Sequence, residues 1–132
     1  MRVEIVYETH STSVDNERGV ATGWLDGELS ETGRENAREL GALRRDDGIS
    51  AVYVSDLGRA VETAEIAFGD SGISIRLDPR LRECNYGELN GMPSAQLAEE
   101  VPNRIDTPYP GGESYREVVE RVREFLDELV RD

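Results

Sequence analysis

Lysine is missing altogether from the 132 residues, and histidine and cysteine occur once each. Every side-chain cation other than His10 must therefore be an arginine. A single cysteine, Cys84, rules out an internal disulfide and a thiolate metal cluster within one chain, and with one histidine it argues against a conventional zinc site. No stretch approaches the roughly 20 apolar residues of a membrane span. Met1-Arg2-Val3-Glu4 leads into a short apolar segment rather than a signal peptide, so a cytoplasmic protein without membrane partners is the expectation. A formal net charge of -13 opposes general affinity for nucleic acid or anionic lipid, because such binding rests on clustered cations that release counterions. The same charge repels phosphorylated metabolites at long range. A phosphate site in this chain must be built from local arginines.

Apolar residues make up 37% and charged residues 33%, and the apolar ones fall in periodic blocks, which predicts one folded domain over residues 1–132. Residues 3–7 are β-rich and run into the polar stretch Glu8 to Asn16, placing His10 in a loop just past the carboxyl end of a first strand. Ser30-Glu31-Thr32-Gly33 opens a helix carrying Ala37, Leu40, Gly41 and Leu43. A strand over residues 50–54 leads through Ser55-Asp56 into a helix with Ala60, Val61, Ala64, Ile66 and Ala67, and residues 73–77 form a third strand. Pro79 to Gly91 and Pro102 to Gly112 read as loops. The capping box Ser114-Tyr115-Arg116-Glu117 starts a last helix with an apolar stripe of Val118, Val119, Val122, Phe125, Leu126, Leu129 and Val130. Strands alternating with helices predict an α/β three-layer sandwich, its sheet mostly parallel with helices on both faces. Ligands gather outside the carboxyl ends of such strands, where His10, the Ser55 to Arg59 turn and the Glu83 loop would converge.

His10 alone is a weak signal, since a lone histidine in a polar loop is more often a hydrogen-bonding residue than a catalyst. Its neighbourhood is more specific. Thr9-His10-Ser11-Thr12-Ser13-Val14-Asp15-Asn16 is followed by Thr22-Gly23-Trp24-Leu25-Asp26-Gly27-Glu28-Leu29-Ser30-Glu31-Thr32-Gly33. Further on come Ser55-Asp56-Leu57-Gly58-Arg59-Ala60-Val61-Glu62-Thr63-Ala64, Leu81-Arg82-Glu83-Cys84-Asn85-Tyr86-Gly87, and Pro110-Gly111-Gly112-Glu113-Ser114. These five ordered stretches resemble the motifs of the histidine phosphatase (phosphoglycerate mutase-like) superfamily and cover nearly all of residues 3–130.

The resemblance implies a phosphohydrolase acting on small-molecule phosphate monoesters through a phosphohistidine on His10, with no metal or other cofactor. Phosphoryl transfer needs an in-line nucleophile, positive charge on the equatorial oxygens and an acid for the leaving alkoxide. His10, Arg59 and Glu83 match those roles in the family's motifs. The local alternative for Arg59 is a surface arginine paired to Glu62 or Asp56, and for Glu83 one of many exposed acids. Ser13, Asn16, Thr22 and Gly23 are implied to contact phosphate or substrate, although locally they are also ordinary loop formers. Trp24 and Tyr86 read as packing residues.

Two departures bear on activity. Thr9 stands where the family has an arginine before the nucleophile, and the family's second histidine, on a strand after the helix opened by Glu113-Ser114, has no counterpart. The missing strand predicts a truncated domain or an open sheet edge stabilised by another chain, by strand exchange or by unusual repacking, a homo-oligomer being one such arrangement. Arginine pairs that would recognise a phosphoglycerate carboxylate are not evident after Gly91, where Arg104 is the lone candidate, so hydrolysis is favoured over mutase chemistry. A non-catalytic relative that binds a phosphate ester or a partner protein is the alternative, and an assembly module with a vestigial pocket is a third reading.

Overall fold

The computed structural model describes residues 2–131. Its regular elements are α1 (Val14–Arg18), α2 (Glu31–Arg44), β1 (Ala51–Val54), α3 (Gly58–Phe68), β2 (Ser74–Leu77), α4 (Ser94–Glu100) and α5 (Tyr115–Arg131). β1 and β2 pair in parallel from Ala51 opposite Ser74 to Val54 opposite Leu77. Parallel neighbours need a crossover, which α3 supplies. Small residues let α2 and α3 approach closely: Ala37, Gly41, Ala64 and Ala67 are buried, with Phe68 closing the end of the layer. α3 packs on both strands. On the opposite face Phe125 of α5 meets Tyr53 of β1 edge to face at 5.3 Å, so the strands lie between helices. Burying a phenylalanine of this kind stabilises a fold by roughly 1.5–3 kcal/mol.

A second apolar cluster sits beyond the sheet. Cys84, Tyr86, Leu97 and Tyr109 form it, with Leu89, Met92, Tyr115 and Val118 against its rim. It joins α4, the loop 84–92 and the start of α5, and so gives the Glu83 region a rigid floor.

The last helix begins as its sequence requires. Glu117 N donates to Ser114 Oγ at 3.2 Å while Ser114 N donates to Glu117 Oε1 at 3.1 Å, the reciprocal pair of a capping box. Ser114→Ala is expected to cost about 1 kcal/mol, read as a lower denaturation midpoint in urea with an unchanged slope.

Three sequence expectations are corrected. Residues 3–7 form no strand: among the described residues their backbone groups pair with nothing, and Ile5, Val6 and Tyr7 are 54%, 48% and 83% exposed. A strand exists only through its ladder, whatever its propensity. The stretch Glu8 to Asn16 is not all loop, because α1 starts at Val14 behind a capping box in which Ser13 Oγ accepts from Asn16 N and Asn16 Oδ1 accepts from Ser13 N. Along α5 only Phe125 of the apolar stripe is buried, while Val119, Leu126 and Val130 are exposed. Periodicity identifies the apolar face of a helix but not the surface that covers it.

Candidate active site

Arg59, second residue of α3, is 2% exposed. Its Nη2 donates to Gly23 O at 2.7 Å and to Glu83 Oε2 at 2.9 Å, and Nη1 donates to Leu25 O at 3.5 Å. The surface-arginine alternative is excluded: Glu62 pairs with Arg34 and Asp56 with Arg82. Arg59 Nε and one Nη1 hydrogen make no hydrogen bond among the described residues. The carbonyl of Gly23 is fixed because the residue takes φ +58 and a Cβ there would stand 1.8 Å from Asn90 Oδ1.

Glu83 is held at every oxygen. Besides Arg59 on Oε2, the Tyr86 phenol donates to Oε1 at 2.7 Å, and the backbone carbonyl accepts from Trp24 Nε1 at 2.7 Å and Arg121 Nη2 at 3.1 Å. Burial first, and then the negative charge of Glu83, push the Tyr86 phenol above its ordinary range, so it stays a donor. Tyr86 and Trp24, which sequence reasoning assigned to packing, thus also position Glu83. The signal for Tyr86 was its spacing, three residues past the acid in a loop rather than on a helix.

His10 is half-buried, and its Nδ1 lies 2.6 Å from Ser11 O. A carbonyl only accepts, so this bond requires a proton on Nδ1, and in the neutral form of the ring Nε2 is then the nitrogen with the lone pair. One hydrogen bond ties this loop to α3, and a second, inside the helix, carries the link on to Arg59. Ser11 N donates to Thr63 Oγ1 at 3.1 Å, and Thr63 Oγ1 donates to Arg59 O at 2.8 Å. The structure therefore joins Arg59 and Glu83 directly and links His10 to Arg59 through Ser11 and Thr63. Thr63 was visible in the sequence only as part of a motif, one helical turn after Arg59.

The remaining candidates are committed locally. Ser13 is fully buried as the cap of α1, and Asn16 uses its Oδ1 in that cap while its side-chain nitrogen makes no hydrogen bond among the described residues. Thr22 is buried and donates to Asp15 Oδ2 at 2.8 Å. Gly23 contributes its carbonyl to Arg59. Cys84, next to Glu83, is no rival nucleophile at neutral pH, because burial pushes its thiol up to about 11.

Arg121 anchors the far side of the site. It donates to both oxygens of Glu113 at 2.9 and 3.0 Å, and Asn85 N adds a third bond to Oε1 at 3.0 Å. Burial opposes the charge on Glu113, but those bonds outweigh it and hold the carboxyl below its ordinary 4.5. A depressed carboxylate contributes stability that is present above its unfolded value and is lost as pH falls through its folded one. Stability is therefore expected to decline below about pH 4.5, and Glu113→Gln is expected to flatten that decline while lowering stability at pH 7. Urea midpoints measured between those conditions check the sign.

The sequence profile of the histidine phosphatase superfamily, branch 1, matches residues 9–132, and the chain belongs to that superfamily. It is 35% identical to a probable phosphoglycerate mutase of Erwinia tasmaniensis over 95% of this chain and 62% of that protein. It is 38% identical to a fructose-2,6-bisphosphatase of Danio rerio, over 80% of this chain and 44% of that one. Among solved structures it is similar to a mycobacterial glucosyl-3-phosphoglycerate phosphatase solved with VO3, with TM-score 0.80 and 33% identity over 93% of this chain and 65% of that one. The fold is thus the phosphoglycerate mutase-like α/β sandwich, and the chain spans less than two thirds of the length of these relatives. Among the described residues no helix is long and apolar enough to cross a membrane.

Proposed function

We propose that this chain carries the phosphoryl-transfer half of a phosphomonoesterase, with His10 as nucleophile. The observation that carries the reading is the bond between His10 Nδ1 and Ser11 O, which in the neutral ring leaves Nε2 as the lone pair, in a loop bonded to the helix whose second residue is the buried Arg59. Nε2 attacks phosphorus and the phosphorus–ester oxygen bond breaks. Arg59 holds the equatorial oxygens, and Glu83 in its protonated form gives the proton to the leaving alkoxide. Water then attacks the phosphohistidine while Glu83 takes its proton back, releasing phosphate and restoring the imidazole. Phosphate esters of sugars or of glycerate derivatives are the substrate class in keeping with the relatives' names. Arg104 is already spent on Glu100 and Pro108 O, which favours hydrolysis over a mutase that needs arginine to hold a carboxylate.

A second reading, a non-catalytic binder of phosphate esters, is favoured by Thr9, which stands where an arginine is expected before the nucleophile. Losing one transition-state donor costs about 2.7–4 kcal/mol, or roughly a hundredfold to a thousandfold in rate. Incubation with p-nitrophenyl phosphate, followed by an alkaline quench, should trap an acid-labile phosphoryl group that disappears in His10→Gln. Saturable binding with no label in the parent protein would establish the binder instead.

A further inference from the structure

A guanidinium offers two edges that can donate a parallel pair of hydrogen bonds to an oxyanion, one through Nε and Nη2 and one through Nη1 and Nη2. Nη2 belongs to both. In Arg59 both Nη2 hydrogens are already used, one on Gly23 O and the other on Glu83 Oε2. A tetrahedral oxyanion can therefore dock on two bonds only if one of those acceptors leaves. Gly23 O cannot, because its backbone is locked at positive φ against Asn90 and Tyr86. Glu83 can, since its side chain is 42% exposed while Arg59 is 2% exposed.

We propose that Glu83 is an internal occupant of the anion seat on Arg59, displaced by the incoming oxyanion and kept beside it by the Tyr86 phenol. This rests on the assignment of Arg59 as the phosphate-holding residue and adds a coupling to it. The displaced carboxylate loses a guanidinium and gains an anion as neighbour, and a carboxylate so placed takes up a proton more readily. Arrival of the substrate thus turns Glu83 from the base that closes the empty site into the acid that the leaving group needs. Tyr86 is a positioning residue here: its bond to Oε1 is independent of Arg59, so Oε2 is the oxygen set free. The other charged and titratable groups near this carboxylate are Arg121 and Glu113 of the α5 side, the buried Cys84 and Tyr115. Arg121 is bonded to the Glu113 carboxylate and to the Glu83 backbone, and so is not free to replace Arg59.

Sulfate tests this, because it matches phosphate in shape and does not titrate near neutrality. Its binding is measured by calorimetry at pH 6 in two buffers of different ionisation enthalpy, on the whole chain, in parent, Glu83→Gln and His10→Gln forms. If the seat is open about a tenth of the time in the parent, Glu83→Gln binds sulfate about tenfold tighter and without proton uptake. The uptake persists in His10→Gln, which separates it from the imidazole. Equal or weaker sulfate binding by Glu83→Gln, loss of the uptake in His10→Gln, or no sulfate binding in any form would overturn the proposal. Should Glu83→Gln fail to fold, the uptake in His10→Gln decides alone. A seat that behaves as described in a chain that never labels on His10 would leave the coupling intact and refute the catalytic reading.

Discussion

Arg59→Met is expected to lower the free energy of unfolding by about 3–5 kcal/mol, the largest effect of any single substitution considered for this site. The guanidinium is almost wholly enclosed and binds Gly23 O, Leu25 O and Glu83 at once. Methionine fills much of the space but donates nothing. Glu83 can turn toward water, so most of the loss comes from the stranded carbonyls, each costing about 1–3 kcal/mol when buried without a donor. Lysine at the same position keeps the charge but not the fork, and should recover only part of the loss. Urea unfolding of the three forms gives the ranking directly, and an unchanged midpoint in Arg59→Met would mean that water already satisfies those carbonyls.

Gly33→Ala is expected to destabilise the chain by up to about 2 kcal/mol, against the usual preference for alanine in a helix. Replacing glycine by alanine in a helix interior normally gains about 1 kcal/mol. Here the new methyl would stand 1.9 Å from Thr12 O and 2.9 Å from Thr12 C, so backbone must move against backbone. Overpacking of that kind costs about 1–3 kcal/mol and sometimes more, and with no flexible side chain to yield the clash wins. The segment that moves lies two residues past His10, and its carbonyl also accepts from Ser30 N and Ser30 Oγ at the cap of α2. The variant should therefore melt at a lower temperature and lose its capacity to label His10. An alanine variant more stable than its parent would refute the close approach.

The legible part of the fold was the part encoded by local periodicity and caps. Residues 31–44, 58–68 and 115–131 announce themselves by spacing and by Ser30 and Ser114, and β1 and β2 by short β-rich runs. Residues 3–7 carry the same composition as a strand, but composition does not supply a neighbour to pair with. α1 and α4 went unseen because five and seven residues are too few to show an amphipathic period. In the site, motif matching nominated Arg59 and Glu83, and they do meet. That Arg59 would be buried and Glu83 seated on it was beyond reach, since neither burial nor pairing across 24 residues leaves a trace in a single chain. Ser13 and Asn16 show the converse: a motif that reads as ligand contact is first of all a helix cap.

The exclusive use of arginine as the strong cation has an outcome at the alkaline end of the scale. All of the ion pairs found, from Arg34 with Glu62 to Arg121 with Glu113, use a guanidinium. An ammonium begins to shed its proton near pH 10.4, whereas a guanidinium holds it well beyond that. Pairing raises several of these guanidinium values further, among them Arg34, Arg44 and Arg82, so their share of the stability is complete below the unfolded value and fades only above it. Tolerance of strong base in this chain should accordingly be limited by its phenols and its thiol rather than by its cations.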